Sequence, residues 1–396
     1  MKICIIVDDY MPNSIKVAAK MMHELACEYI NQGHQVTVLT PNPYQNESCK
    51  ITKLNDVSVI SFKSGEIKNV GKVKRAINET LLSYKAWNTT KKILKKNKHD
   101  LIVYYSPSIF FGTLVKKLKK LWNAPSYLIL RDLFPQWAVD QKLINEGSAI
   151  EKYFRYFEKL NYNAADKVGL MSQKNLDFFN KNTYIKKNIE VLYNWASNEP
   201  VENTNYYKKK LGIKDKVVFF YGGNIGHAQD MMNIVRLAKN MKNEVKAHFV
   251  LVGAGDEVEL VENSIKKDNI SNITLLPSVS QDEFKKMLAE FDVGLFTLHK
   301  DHTTHNFPGK LLGYMVQRLP ILGSINKGND LKEIVENANA GLITINGEDE
   351  IFLENAFRLL DDEYRKKIGE NANVLLHSTF SVESAAQQIL KSYRVL

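Results

Sequence analysis

KICIIVDDYMPNSIKVAAKMMHELACEYINQGHQVTVLT, residues 2–40, decides the fold. Ile3, Ile5, Ile6 and Val7 make a short β-branched apolar run, the pattern of a strand buried on both faces. Residues 15–33 then carry apolar side chains at helical spacing until Gly33 stops them, and QVTVLT (35–40) returns to strand character. Strand, crossover helix and strand make a parallel pair, because only a crossover brings the chain back in the same direction.

The pattern repeats outward from this opening. VSVISF (57–62), LIVYY (101–105), SYLILRD (126–132) and KVGLMS (167–172) continue it, and VLYNWASNEP (191–200) closes the series. A second series follows in KVVFFYGGNIG (216–226), AHFVLVGAGDE (247–257), NITLLPSVS (272–280), DVGLFTL (292–298), PILGSI (320–325) and AGLITI (340–345). The expectation is an α/β protein with two parallel-sheet domains over residues 1–199 and 200–378. A helix over 379–396 is expected to pack back on the first domain. A length of 396 residues is too great for one ordinary core and suits two.

Composition narrows the function. The chain is 44% hydrophobic and 25% charged, as soluble globular proteins are. No apolar run approaches the length that spans a bilayer, and the run between Lys2 and Asp8 is too short for a signal sequence, so a cytoplasmic protein is expected. Cys4, Cys27 and Cys49 are odd in number, far apart and set mostly among apolar residues, which predicts buried reduced thiols. The net charge of +10 is uneven: residues 1–199 hold 30 Lys and Arg against 18 Asp and Glu, whereas residues 200–396 hold 24 against 26. The excess gathers in KNVGKVKR (68–75), KKILKKNK (91–98) and VKKLKKLW (115–122). Two readings stay open, solvated faces of helices packed on a sheet or attraction to an anionic membrane. Nucleic acid is disfavoured because the runs lack interleaved stacking aromatics.

Open parallel sheets bind ligands beyond the carboxyl ends of their strands. DDYMPNSIK (8–16), RDLFPQW (131–137), GGNIGHAQD (222–230), GAGDE (253–257) and HNFPGKLL (305–312) occupy such places. A glycine turn that feeds a helix offers free amides to a phosphate, and Gly222, Gly223, Gly226, Gly253 and Gly255 fit that description. A single such glycine is more often a simple turn. Two turns in one domain, with Lys310 opening a third helix, point to a nucleoside diphosphate. No acidic residue ends a following strand about 20 positions on, so a dinucleotide oxidoreductase is disfavoured. His299, His302 and His305 stand three apart, but Asn306 to Gly309 break any helix that would bring them to one face. They are read as a loop that delivers Pro308, Gly309 and Lys310 to a helix start, and no metal site is expected.

The order of GGNIG, FVLVGAGDE, LLPSVS and FPGKLLGYMVQRLPIL, with a closing helix, resembles the nucleotide-sugar half of the retaining glycosyltransferases of family 4. These have the GT-B architecture of two facing Rossmann-like domains. KVAAKMMHELA, GHQVTVLTPNP, LRDLFPQWAVDQ, VLYNWA, NFPGK and GNDLKEI are similar, more narrowly, to bacterial N-acetyl-L-fucosamine (L-fucosamine) transferases of O-antigen and capsule assembly. The resemblance implies transfer of that sugar from its UDP donor to a polyprenyl-diphosphate-linked saccharide. It implies a peripheral protein at the inner face of the cytoplasmic membrane that needs no metal. The donor would meet Gly222, Gly223, Asn224, Gly226, Gln229, Gly253, Gly255, Asp256, Pro277, Ser278, Phe307, Pro308, Gly309, Lys310 and Leu311. The acceptor would meet Asn13, Ser14, Lys16, Arg131 and Asp132, and catalytic roles fall on Asp132, Lys310 and His305.

The chain departs from the family pattern at several points. Asn224 and Gln229 stand where an Arg and a Lys usually bind the donor diphosphate, and MPNSIK replaces a pair of adjacent glycines. His305 and Gly313 stand where the family carries two glutamates. These departures keep two rivals open: a nucleotide-sugar 2-epimerase of the same architecture and a non-catalytic nucleotide-sugar-binding subunit.

Overall fold

A computed structural model describes the chain except residues 15, 68–69, 184–187, 302–307 and 396. The side chains of residues 72, 394 and 395 are likewise outside the description. The chain divides into two compact units, Met1–Tyr193 together with Val382–Leu396, and Asn194–Ser381.

The first unit is built on a sheet of eight strands, β1 (Lys2–Ile6), β2 (Gln35–Asn42), β3 (Cys49–Leu54), β4 (Val57–Lys63), β5 (Leu101–Ser106), β6 (Ser126–Leu130), β7 (Lys167–Leu170) and β8 (Asn188–Val191). Their order is β3-β4-β2-β1-β5-β6-β7-β8. All neighbours are parallel except β3 and β4. Strand β1 reads as continuously apolar because helices cover both faces of a parallel sheet, and Ile3, Cys4, Ile5 and Ile6 are fully buried. The sheet reverses direction of growth between β1 and β5. The hairpin partner β3 was not visible in the alternation of apolar residues, since four of its six residues are exposed. Its turn is legible afterwards in Asn55 and Asp56, both in the left-handed region with φ of 47° and 65°.

The second unit has six parallel strands, β9 (Val217–Asn224), β10 (Ala247–Ala254), β11 (Ile273–Leu276), β12 (Val293–Thr297), β13 (Ile321–Ile325) and β14 (Gly341–Ile345). Their order β11-β10-β9-β12-β13-β14 reverses between β9 and β12. Phe219, Tyr221, Phe249, Leu251, Val293, Leu295 and Leu322 form one side of its core with Met231, Ile234, Phe352 and Ala356 from helices.

The first unit ends at Tyr193 rather than at residue 199. Arg131 holds the carbonyls of Leu192 and Tyr193, while Ala196 pairs with Ser381 in the second unit. The helix Val382–Val395 packs against the helix Val17–Asn31, and Gln388 donates to the Val191 carbonyl at 2.7 Å. All three cysteines are free, but only Cys4 is fully enclosed; Cys27 and Cys49 are half-buried, a correction to the expected burial.

Candidate functional site

Two strand ends and a helix start converge where the second sheet reverses. Strand β9 ends in Gly222, Gly223 and Asn224, and the chain after its neighbour β12 leads to the helix Gly309–Val316. Pro308 is the N-cap, so its fixed φ sets the first turn. The first amides of a helix have no partner within it, and those of Gly309 and Lys310 open this one. The Lys310 ammonium lies 3.9 Å from the centroid of the Tyr221 ring and 5.8 Å from that of Phe296. A methyl group on Gly223 would meet its Nζ at 2.9 Å. Burial pushes the Lys310 pKa down to about 7, and among the described residues no carboxylate offsets this. A half-buried ammonium whose contacts among the described residues include two aromatic faces, beside helix amides, is a place for an anion.

The other donor candidates divide by role. Gly253 and Gly255 allow the two glycine turns to touch: a methyl group on either would fall about 2 Å from the Gly223 or Ile225 carbonyl oxygen. Gly222 makes room in the same way for the Phe284 ring. These three shape the loop. Asn224 donates through Nδ2 to Oε1 of Gln229 at 2.7 Å, so the two neutral residues in the family's cationic positions satisfy each other. Exposed Asp256 stands against Gly226, where it repels an anion and accepts from hydroxyl donors. Of the two ends of this group, the Gly223–Lys310 end is therefore the one that carries positive charge. Pro277 and Ser278 are exposed beyond edge strand β11. Leu311 is corrected: its side chain is fully buried and its amide donates to the Pro308 carbonyl, so it builds the helix and meets no ligand. Gly313 faces Leu288 across a neighbouring helix.

His305 and Phe307 lie outside the described residues, as does His302. His299 is tied to the glycine loop instead. Its amide donates to the Ala228 carbonyl, and its ring lies 4.7 Å from that of His227. Among the described residues no group of three or more His, Cys, Asp and Glu is arranged to hold a metal.

The first unit presents a different edge. Asp132 follows β6 and is exposed, yet partial burial raises its carboxyl above the usual range more than neighbouring Arg131 lowers it. Arg131 is a second correction. The residue is 6% exposed and its guanidinium donates inward to the Leu192 and Tyr193 carbonyls, so it fastens the end of the unit and is not offered to an acceptor. Burial also pushes the Tyr105 phenol up to about 12, with the Asp132 and Asp8 carboxylates adding to the rise. Glu79 is raised by burial and also feels Asp8. The fold thus brings Asp8 and Asp132 towards one phenol, with Glu79 near Asp8, a grouping with no signal in the sequence. Asn13, Ser14 and Lys16 line a separate cavity with Asp8 and Asp9, and Ser14 Oγ donates to Asp9 Oδ2 at 2.8 Å.

Comparison with known proteins agrees with this division. Residues 203–374 match the family described as Glycosyl transferases group 1, and residues 18–197 match Glycosyltransferase Family 4. The probable glycosyltransferase WbjE of Pseudomonas aeruginosa is 25% identical over 219 residues, 54% of each chain. The putative colanic acid biosynthesis glycosyl transferase WcaI of Escherichia coli is 22% identical over 54% of each. The matched region thus spans about half the length of these curated relatives. Among solved structures, sucrose-phosphate synthase from Thermosynechococcus elongatus superposes with a TM-score of 0.69 at 14% identity, covering 100% of this chain and 98% of that one. The fold is that of the GT-B glycosyltransferases.

Proposed function

From two halves that each match a glycosyltransferase family, we propose that this chain is a family 4-type glycosyltransferase of surface polysaccharide assembly. It takes a nucleotide-sugar donor, UDP-N-acetyl-L-fucosamine by resemblance, and passes the sugar with retention to a polyprenyl-diphosphate-linked saccharide. The observation that carries the reading is Lys310, an ammonium over Tyr221 at the head of a helix, with no carboxylate partner among the described residues.

The chemistry follows from where charge develops. As the bond from anomeric carbon to phosphate oxygen breaks, the sugar becomes oxocarbenium-like and the diphosphate gains negative charge. Lys310 and the amides of Gly309 and Lys310 stabilise that charge more in the transition state than before it. The departing phosphate oxygen takes the acceptor proton, and Asp132 orients the sugar or the acceptor. The reaction on this reading needs no metal.

Contact with an anionic membrane surface belongs to the same proposal. Lys92, Lys95, Lys96, Lys116, Lys117 and Lys120 are exposed on the helices Leu82–Lys96 and Gly112–Trp122. Val73, Ile77, Leu81 and Tyr84 form an exposed apolar row on the helix Lys72–Thr80 and its continuation. Lys74 and Arg75 are neutralised by Glu66 and Glu79, so the first basic run contributes less. No helix of the described residues is long and apolar enough to cross a membrane.

Incubation with a panel of UDP-sugars and lipid-linked acceptors tests the reading. Acceptor-dependent sugar transfer with release of UDP is expected. A changed sugar without acceptor would mark an epimerase, and UDP binding with no turnover would mark a binding subunit.

A further inference from the structure

We infer that Asn346 is a positioning residue that sets the gap between the glycine loop and the chain carrying Lys310, and with it the fit of the donor's diphosphate. The inference rests on the glycosyltransferase reading above and adds to it a residue that acts through others.

Asn346 follows the edge strand β14, with β12 and β13 between it and β9. Its backbone amide donates to the Ile325 carbonyl at the end of β13, at 2.7 Å. Gly347 carries the chain away with a φ of 110°, which favours glycine. From this footing one side-chain nitrogen reaches two segments. Asn346 Nδ2 donates to Asp230 Oδ2 and to the Leu298 carbonyl, each at 2.8 Å. An amide nitrogen carries two hydrogens, and both are used here. Asp230 ends the glycine loop and caps the helix Met231–Asn240. Leu298 follows β12, where the chain leaves for Pro308 and Lys310.

Other contacts join the same parts of the unit. The His299 amide on the Ala228 carbonyl, at 3.0 Å, couples the two segments through backbone alone. Within the helix, Asn233 repeats the device: its Nδ2 donates to Ser324 Oγ at 2.7 Å and to Thr297 Oγ1 at 3.3 Å, on β13 and β12. Asn233 is buried and belongs to the core, whereas Asn346 is half-buried and ties the loops themselves. What the ties hold is a close approach, since a methyl group on Gly223 would meet Lys310 Nζ at 2.9 Å. A diphosphate that needs the loop amides and the ammonium at once is sensitive to that spacing, and supporting hydrogen bonds of this kind fix it.

Titration of the full chain with UDP, by calorimetry, and with uridine, by ligand-observed NMR on the same samples, tests this. Uridine lacks the diphosphate and reports on the rest of the site. Asn346→Ala should weaken UDP about tenfold, the size of effect that one or two hydrogen bonds give, and leave uridine within about twofold. Asn346→Asp sets a second carboxylate against Asp230 and should weaken UDP further, by about a hundredfold. Adding Asp230→Asn to that variant restores a donor between the two side chains and should recover about tenfold of the loss, a coupling that a general folding defect would not show. Unchanged UDP affinity in Asn346→Ala, equal weakening of UDP and uridine, or no recovery in the double variant overturns this inference alone. Failure of the unaltered protein to bind UDP would instead sink the glycosyltransferase reading, and the inference with it.

Discussion

The carboxyl edges of the two sheets have opposite electrostatic character, and in each case it opposes the charge of the half that carries it. Residues 1–199 hold the whole positive excess, yet their edge displays Asp8, Asp9, Glu66 and Asp132. Residues 200–396 hold more acidic than basic residues, yet their edge sets a half-buried ammonium against aromatic rings. Net charge therefore describes the outer helix faces, and the strand ends describe the ligands. On the proposed function one edge receives a diphosphate and the other a sugar hydroxyl.

The strongest way to break this comparison is to remove the cation. Lys310→Ala is expected to lower turnover by on the order of a hundredfold or more, the usual cost of losing one preorganised electrostatic contact, while UDP affinity falls less. Lys310→Arg should recover part of the rate, because a planar fork does not replace a compact ammonium. Near-normal turnover of the alanine variant would put the diphosphate elsewhere. Gly223→Ala attacks the same place through the backbone. Its φ of 142° and the 2.9 Å approach to Lys310 Nζ predict a displaced lysine and about tenfold weaker UDP binding, measured by calorimetry.

A subtler test uses pH. Burial holds the folded Lys310 at about 7 against an ordinary 10.5. Between those values the unfolded chain keeps the proton that the folded one has lost, so this group makes stability rise with pH across the window and stay level below it. UDP binding runs the other way. An anion favours the charged lysine, so affinity should fall as pH rises above about 7, and at pH 8 binding should take up a proton. Calorimetry in two buffers of different ionisation enthalpy reads that uptake as a difference between the observed heats, and equal observed heats in the two would exclude it.

The outer faces give the smaller effects. Vesicles with anionic lipid should bind the protein more tightly than neutral ones, by about 1 kcal/mol per lysine at the surface. The difference should shrink as salt brings the Debye length below about 10 Å. Equal binding at low salt would assign Lys92, Lys95, Lys116 and their neighbours to solvation alone. Chelation should change least: EDTA is expected to leave transfer unaltered, and a loss of activity restored by a divalent cation would contradict the reaction as drawn.

Much of the architecture was legible because parallel strands must be apolar on both faces, and runs such as KICII and VVFFY satisfy nothing else. The position of Lys310 at a helix start was legible from Pro308 and Gly309. Its environment was not, since Tyr221 and Phe296 come from two strands that only the sheet makes neighbours. Arg131 and Asp132 show the opposite failure. Adjacent in sequence at a strand end, they read as one polar pair, but successive residues of an extended chain point to opposite sides, and one is turned in while the other faces water.

The helix Val382–Val395 has a bearing on how the protein is made. It completes the first unit, yet the ribosome must first synthesise all of Asn194–Ser381. At roughly 5–20 residues per second, that interval is about 10–40 s. During it the surface of the first unit that Val382, Ala386 and Ile389 cover stays open on a nascent chain whose second unit is still being made. A premature stop shortly before Val382 would spare the later unit and injure the earlier one, and a chaperone waiting on the nascent chain would find its binding surface near the beginning of the message.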